Sequence, residues 1–182
     1  MKRLLLTVPV CIILLSSVLP AAAKDWCSES LKRETFGAAI EACTQAIDAR
    51  TGDLYANLVN RGSAYSELGM YDAAAADFDH AIELEPKLPK AYNLRGYARA
   101  LEGRYPEAEK DIRHALEFEP DSTSVIANMV ELYALQNRMD LACTWMKKLM
   151  EKGEKYWSQI RSVKAQSNMR NSPCFPAQAA GR

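Results

Sequence analysis

Cysteine, histidine and arginine are the side chains of this sequence most able to do chemistry, and each recurs at a telling spacing. Cys27, Cys43, Cys143 and Cys174 lie beyond an apolar leader that contains the fifth cysteine, Cys11. Four thiols allow two disulfides in three connectivities, or a redox or zinc centre. No CxxC occurs and neither histidine stands near a cysteine, so the spacings used by redox catalysis and zinc sites are missing. His80 and His114 fall 34 residues apart, the interval of the repeat described below, and read as solvated surface residues one repeat step apart rather than as a shared metal site. Arg61-Gly62 and Arg95-Gly96 share that interval, and Arg-Gly pairs suggest a grip on nucleic acid. There is no Gly-rich phosphate loop, nucleophile elbow or HExxH. No catalytic residue, metal ligand or cofactor is therefore assigned, and the protein is expected not to be an enzyme.

The chain opens with MKR, an apolar run from Leu4 to Leu19, and Ala21-Ala22-Ala23, the three parts of a secretory signal peptide with cleavage expected after Ala23. The run is 16 residues long and contains Pro9, short of the roughly 20 residues a membrane span needs. No membrane span is expected once the leader is removed. Without Lys2 and Arg3 the chain holds 21 basic and 23 acidic residues, a balance that argues against a nucleic-acid partner, which calls for a concentrated basic face. Residues 24–182 are expected to form one exported domain, periplasmic or extracellular, where cysteines pair.

Positioning falls to an internal repeat. Tyr55 to Pro86 superimposes on Pro89 to Pro120 at an offset of 34, matching Arg61-Gly62 with Arg95-Gly96, Gly69 with Gly103, Tyr71 with Tyr105, Ala74 with Ala108, Asp77 with Asp111 and His80-Ala81 with His114-Ala115. Each unit reads as two helices, the first from about Tyr55 to Leu68 and the second from about Tyr71 to Glu85, with a turn at Gly69 and a stop at Pro86. Small residues at 62, 74 and 81 permit close helix approach while Tyr65, Phe78 and Ile82 fill the space between. A lone hairpin cannot bury such a face, so hairpins must stack.

The pattern resembles the tetratricopeptide repeat, whose glycine, tyrosine, alanine, aromatic, alanine and proline positions both units match. The resemblance implies an all-α, right-handed superhelical solenoid of antiparallel helix pairs; together with the leader, an exported bacterial member of the family is expected. Its expected divisions are a divergent first hairpin (24–54), two strong units (55–88 and 89–122), a degenerate unit (123–153) with Val130 for the glycine and Asn137 at the turn, and a terminal helix pair with a loose tail (154–182).

Solenoid geometry then selects among the cysteine connectivities. Cys27 and Cys43 lie eight residues either side of Thr35 and should meet across a hairpin, whereas Cys43 and Cys143 belong to units about 30 Å apart. Cys27 is expected to pair with Cys43, and Cys143 with Cys174. Arg61 and Arg95 replace a leucine common in the family, and the same units carry Asp77 and Asp111; the third unit has Met129 and Trp145 instead. Joint presence and joint loss point to ion pairs, either Arg61 with Asp77 and Arg95 with Asp111, or Asp77 with Arg95 across the unit boundary.

By resemblance, the first helices line a concave groove for a protein or peptide partner. The groove candidates are Val59, Ser63, Lys90, Asn93, Tyr97, Ala127 and Glu131. Members that clamp a C-terminal carboxylate use a lysine and an asparagine on the first unit and basic residues on the third, and Val59, Ser63, Ala127 and Glu131 do not reproduce that set. The function implied is that of a monomeric, non-enzymatic adaptor or scaffold; the other reading is a structural protein that self-associates through open solenoid ends.

Overall fold

A computed structural model describes residues 27, 28, 35–153, 159–170, 172 and 174. The expected leader (1–23), most of the first hairpin's opening helix and the tail beyond 174 lie outside these residues. The described residues hold eight helices and no strand: α1 (Phe36–Asp48), α2 (Leu54–Glu67), α3 (Tyr71–Leu84), α4 (Pro89–Glu102), α5 (Tyr105–Phe118), α6 (Thr123–Leu135), α7 (Met139–Glu151) and α8 (Val163–Met169). α2 packs on α3, α4 on α5 and α6 on α7, each as an antiparallel pair, and successive pairs stack through α1 on α2, α3 on α4 and α5 on α6. The result is an all-helical solenoid.

The turns inside the three pairs share one hydrogen-bond pattern. Met70 N donates to Tyr65 O at 2.9 Å, Arg104 N to Arg99 O at 2.8 Å, and Arg138 N to Tyr133 O at 2.9 Å. This six-to-one closure needs a left-handed residue just past the helix end. Gly103 supplies it at φ +93° and Asn137 at φ +59°, asparagine being one of the few other residues that tolerate this region. Pro89 and Pro106 open α4 and α5 in the first turn, where no backbone N–H is needed.

Close approach within the pairs rests on the glycines. A β-carbon at Gly62 would stand 2.8 Å from Phe78 Cε1, and one at Gly96 would stand 2.7 Å from Ile112 Cγ1 and 3.0 Å from the Ala108 carbonyl oxygen. In the third pair Val130 takes that place, and the buried residue in register with Phe78 and Ile112 is the unbranched Met146, a flexible side chain suited to a bulkier neighbour.

α6 departs from its counterparts in being buried all round, from Val125 through Leu135. One side is covered by α8, whose Ala165 and Met169 join Ile160 in the same core cluster as α6 and α7. Of the expected terminal helix pair, the described residues contain this one seven-residue helix, and it lies on α6, the first helix of the last pair.

Disulfides join Cys27 to Cys43 (Cα–Cα 4.9 Å) and Cys143 to Cys174 (Cα–Cα 5.3 Å). The second closes a loop around the segment that carries α8, and in the chain-entropy picture a loop of that length contributes on the order of 3 kcal/mol. Unfolded but unreduced mature protein is therefore expected to show no free thiol in a titration with a thiol reagent. Two or four free thiols would rule out one or both bridges.

Candidate concave-face binding site

The repeated arginines build the junctions that hold the concave face. Arg61 grips Asp77 with two parallel bonds, Nε to Oδ2 at 2.8 Å and Nη2 to Oδ1 at 2.7 Å, and its remaining nitrogen Nη1 donates to Thr44 Oγ1 of the preceding pair at 3.1 Å. Arg95 repeats this on Asp111, with Nε to Oδ2 at 2.8 Å and Nη2 to Oδ1 at 2.6 Å, while its Nη1 pairs with Asp79 of the preceding pair. The carboxylate across the unit boundary is thus Asp79, and Asp77 is held within its own hairpin. Arg99 adds a third bond to Asp111, Nη1 to Oδ2 at 2.7 Å. Burial opposes the Arg95 charge, yet the hydrogen bonds it donates to Asp111 and Asp79 outweigh it and push the guanidinium's pKa up. These planar donors tie helix to helix and unit to unit, a fixed fork that lysine cannot reproduce.

The expected groove residues fare differently from one another. Lys90 is exposed, and Ser63 is half-buried with its hydroxyl donating to Val59 O at 2.7 Å, spent on its own helix. Val59 and Ala127 do not line an open groove: each is 1% exposed and sits in the interhelical core, because the first helices pack on both neighbours. Asn93 is also buried and accepts a bond from Asn128 Nδ2 at 2.9 Å, one amide on each of two adjacent first helices.

Tyr97 and Glu131 are buried for another reason: residues 159–162 lie across them. Glu131 is 0% exposed, and its Oε1 accepts from Arg161 N at 2.7 Å and its Oε2 from Ser162 N at 2.9 Å. The Arg161 guanidinium lies 4.1 Å from the centre of the Tyr97 ring, a cation–π contact, and its Nη1 reaches Glu67 Oε1 at 3.4 Å. Gln159 Nε2 donates to Thr123 Oγ1 at 3.2 Å and Asn168 Nδ2 to Ala134 O at 2.7 Å. Ser162 opens α8 by accepting from Ala165 N at 3.2 Å. One strap of the chain therefore lies against α6 through its backbone and reaches α4 and α2 through the Arg161 side chain, so that it touches all three first helices.

This strap escaped the sequence reading, though α6 carries a trace of it. TSVIANMVELYAL has apolar residues on every side, and a helix without a polar face must be covered all round. The fully buried Glu131 then requires donors on the covering segment.

Burial raises the pKa of Glu131, opposed by the two backbone donors and by Arg161, and burial likewise raises that of Tyr97. The folded chain accordingly holds the Glu131 proton more tightly than the unfolded one. Its contribution to stability is complete below the ordinary glutamate value of about 4.3 and is lost as pH rises through the raised native value. Glu131→Gln, which cannot titrate, is expected to flatten that part of the melting-temperature profile; an identical profile would assign the titration to another group.

On the outer side, His80 is exposed, whereas His114 is not simply solvated. It packs edge-on between Tyr92 (centroids 4.2 Å) and Phe118 (5.3 Å) and meets Glu117 at 3.2 Å. Tyr133 OH donates to Glu109 Oε1 at 2.8 Å and receives from Arg113 Nη2 at 3.1 Å, linking α5 to α6. Tyr133→Phe is expected to cost about 1 kcal/mol, read by chemical denaturation; no change in the midpoint would mean that water replaces the contact without loss. Among the described residues no helix is long and apolar enough to cross a membrane.

Residues 58–88 and 89–122 each match the tetratricopeptide repeat family. The first such domain of Spaghetti (RPAP3), solved bound to the HSP90 peptide SRMEEVD, is 30% identical to this chain, with 94% of that domain and 65% of this chain covered at a TM-score of 0.56. The chain belongs to the tetratricopeptide repeat family. The tetratricopeptide domain of Arabidopsis OM64 is 31% identical, covering 91% of that domain and 61% of this chain, TM-score 0.57. The rice protein SGT1 homolog is 45% identical over 67 residues, which are 36% of this chain and 17% of the relative. The chain thus spans under a fifth of that curated relative. As a tetratricopeptide repeat protein, the chain is a protein-interaction module.

Proposed function

We propose that this tetratricopeptide protein is a non-enzymatic, monomeric adaptor acting outside the cytoplasm, which binds a peptide or protein segment on the concave face formed by α2, α4 and α6. The observation that carries this reading is that the face already receives polypeptide. Main-chain N–H groups of residues 161 and 162 dock on Glu131, and a side chain stacks on Tyr97. Export rests on the leader-like opening and on the two disulfides, which persist in oxidising compartments.

The test is photo-crosslinking in living cells from a reactive residue placed at Ser63 or Lys90, with a second probe at His80 on the outer side as control. A partner recovered from positions 63 or 90 and not from 80 is the expected result. Recovery from position 80 alone would move the interface to the outer face. Terminal sequencing of the recovered protein should begin at Lys24; an intact Met1 would refute export by a cleaved leader.

A further inference from the structure

The concave face is chemically lopsided, and so is the strap lying on it. The face presents Glu67 from α2, the Tyr97 ring from α4 and the buried Glu131 from α6. Residues 159–170 read QIRSVKAQSNMR, with three basic residues and no acidic one. Ile160 is 1% exposed and Ala165 and Met169 are fully buried, so an apolar row anchors the strap while Arg161 takes the aromatic and acidic contacts. α8 is only seven residues long. A helix that short does not persist in water, so the face confers its conformation, as a receptor does on a bound peptide.

We propose that residues 159–170 are a displaceable ligand encoded in the chain itself, and that the external segment suited to this face has the same chemistry: an apolar residue, then arginine, then a hydroxyl residue opening a helix. This deepens the function proposed above and rests on it. Recognition of the main chain by Glu131 is indifferent to sequence, whereas the Tyr97 ring and Glu67 select the arginine. An acidic tail would meet Glu67 and Glu131 with like charge and is rejected. Because the strap is covalently attached at one end and bridged through Cys174 to Cys143 at the other, its effective concentration at the face is on the order of millimolar, enough to exclude weak competitors.

The experiment uses the full mature chain and a fluorescent synthetic peptide of residues 159–170, with SRMEEVD as the acidic control. Arg161→Glu sets the strap's own side chain against Glu67, and is expected to strengthen binding of the basic peptide by about tenfold or more over wild type. Adding Glu131→Gln should abolish that gain, and SRMEEVD should bind no variant. A folded Arg161→Glu protein that fails to bind the basic peptide, or binds the acidic one equally, overturns the proposal. If Arg161→Glu does not fold, hydrogen exchange on wild type decides: amides of 163–169 exchanging much faster than those of α4 and α6 support a displaceable strap, and equal protection overturns it. A wild-type dimer that dissolves with Arg161→Glu would overturn the intramolecular assignment and place a second copy's strap on the face. Peptide binding is read with purified protein alone, so a failure to crosslink a partner in cells would count against the adaptor reading without touching this one.

Discussion

Asp111→Ala is expected to lower the melting temperature by about 6 to 12 °C, equivalent to about 3 kcal/mol in a domain of this size. The carboxylate is buried and takes three charged bonds, two from Arg95 and one from Arg99, whose side chains are themselves mostly covered, at 15% and 17% exposure. Its removal leaves two guanidinium groups short of water and of a counter-ion. Arg95 keeps Asp79, half-exposed on the preceding pair, so the loss is not complete. Asp77→Ala should cost less, because only Arg61 loses a partner there and Thr44 still accepts from it. A melt of Asp111→Ala within 2 °C of wild type would show that these arginines rehydrate freely and that the junction is ornamental (the threshold is about 0.5 kcal/mol on the same scale).

Apolar replacement at this junction should be far milder than truncation. The third hairpin has Met129 where the earlier units have Arg61 and Arg95, and Trp145 where they have Asp77 and Asp111, with Met129 fully buried. A well-packed apolar pair can substitute for a buried ion pair without loss. Replacing Arg95, Arg99 and Asp111 together by apolar residues is accordingly expected to recover most of the stability that Asp111→Ala alone removes.

Gly96→Leu is expected to cost at least about 3 kcal/mol, enough to unfold a marginal chain. Even a β-carbon at this place would stand 2.7 Å from Ile112 Cγ1 and 3.0 Å from a backbone oxygen, which cannot swing aside as a side chain can. A leucine adds three further carbons inside the same gap. Helix propensity favours leucine over glycine by only about 1 kcal/mol and cannot offset the overlap. Circular dichroism at 25 °C and a urea melt would measure this, and a stability equal to wild type would mean α4 and α5 can move apart without disturbing the pairs beside them. Gly37, with nothing within 4 Å of its added carbon, serves as the control: Gly37→Leu should leave stability unchanged or slightly higher.

The repeat and its helices were legible in sequence because their causes are local. Proline, glycine and small-large alternation at an interval of 34 residues dictate where helices begin, turn and meet, and the observed α2 to α5 fall within a residue or so of the limits read from those positions. Unit boundaries and the close contacts at Gly62 and Gly96 follow from the same spacing. The junctions were half legible: joint gain and loss of arginine and aspartate signalled a pair, but two arrangements satisfied it. Only side-chain reach in three dimensions puts Asp77 within its own hairpin and gives Asp79 the contact across the boundary.

The occupant of the concave face was not legible where that face is most distinctive. Tyr97 and Glu131 stand at family groove positions, yet their environment is set by a segment about 30 residues later in the chain than Glu131, and the Arg161 contact to Glu67 spans 94 residues. No periodicity encodes such contacts, since the strap is a single, non-repeating stretch whose short helix forms only against the face. Sequence alone therefore determined the scaffold, because a repeated hairpin is specified by neighbours one turn or one unit away. Tertiary structure decided what lies in the groove, because that depends on how far a tethered tail can reach and on the buried carboxylate waiting for its donors.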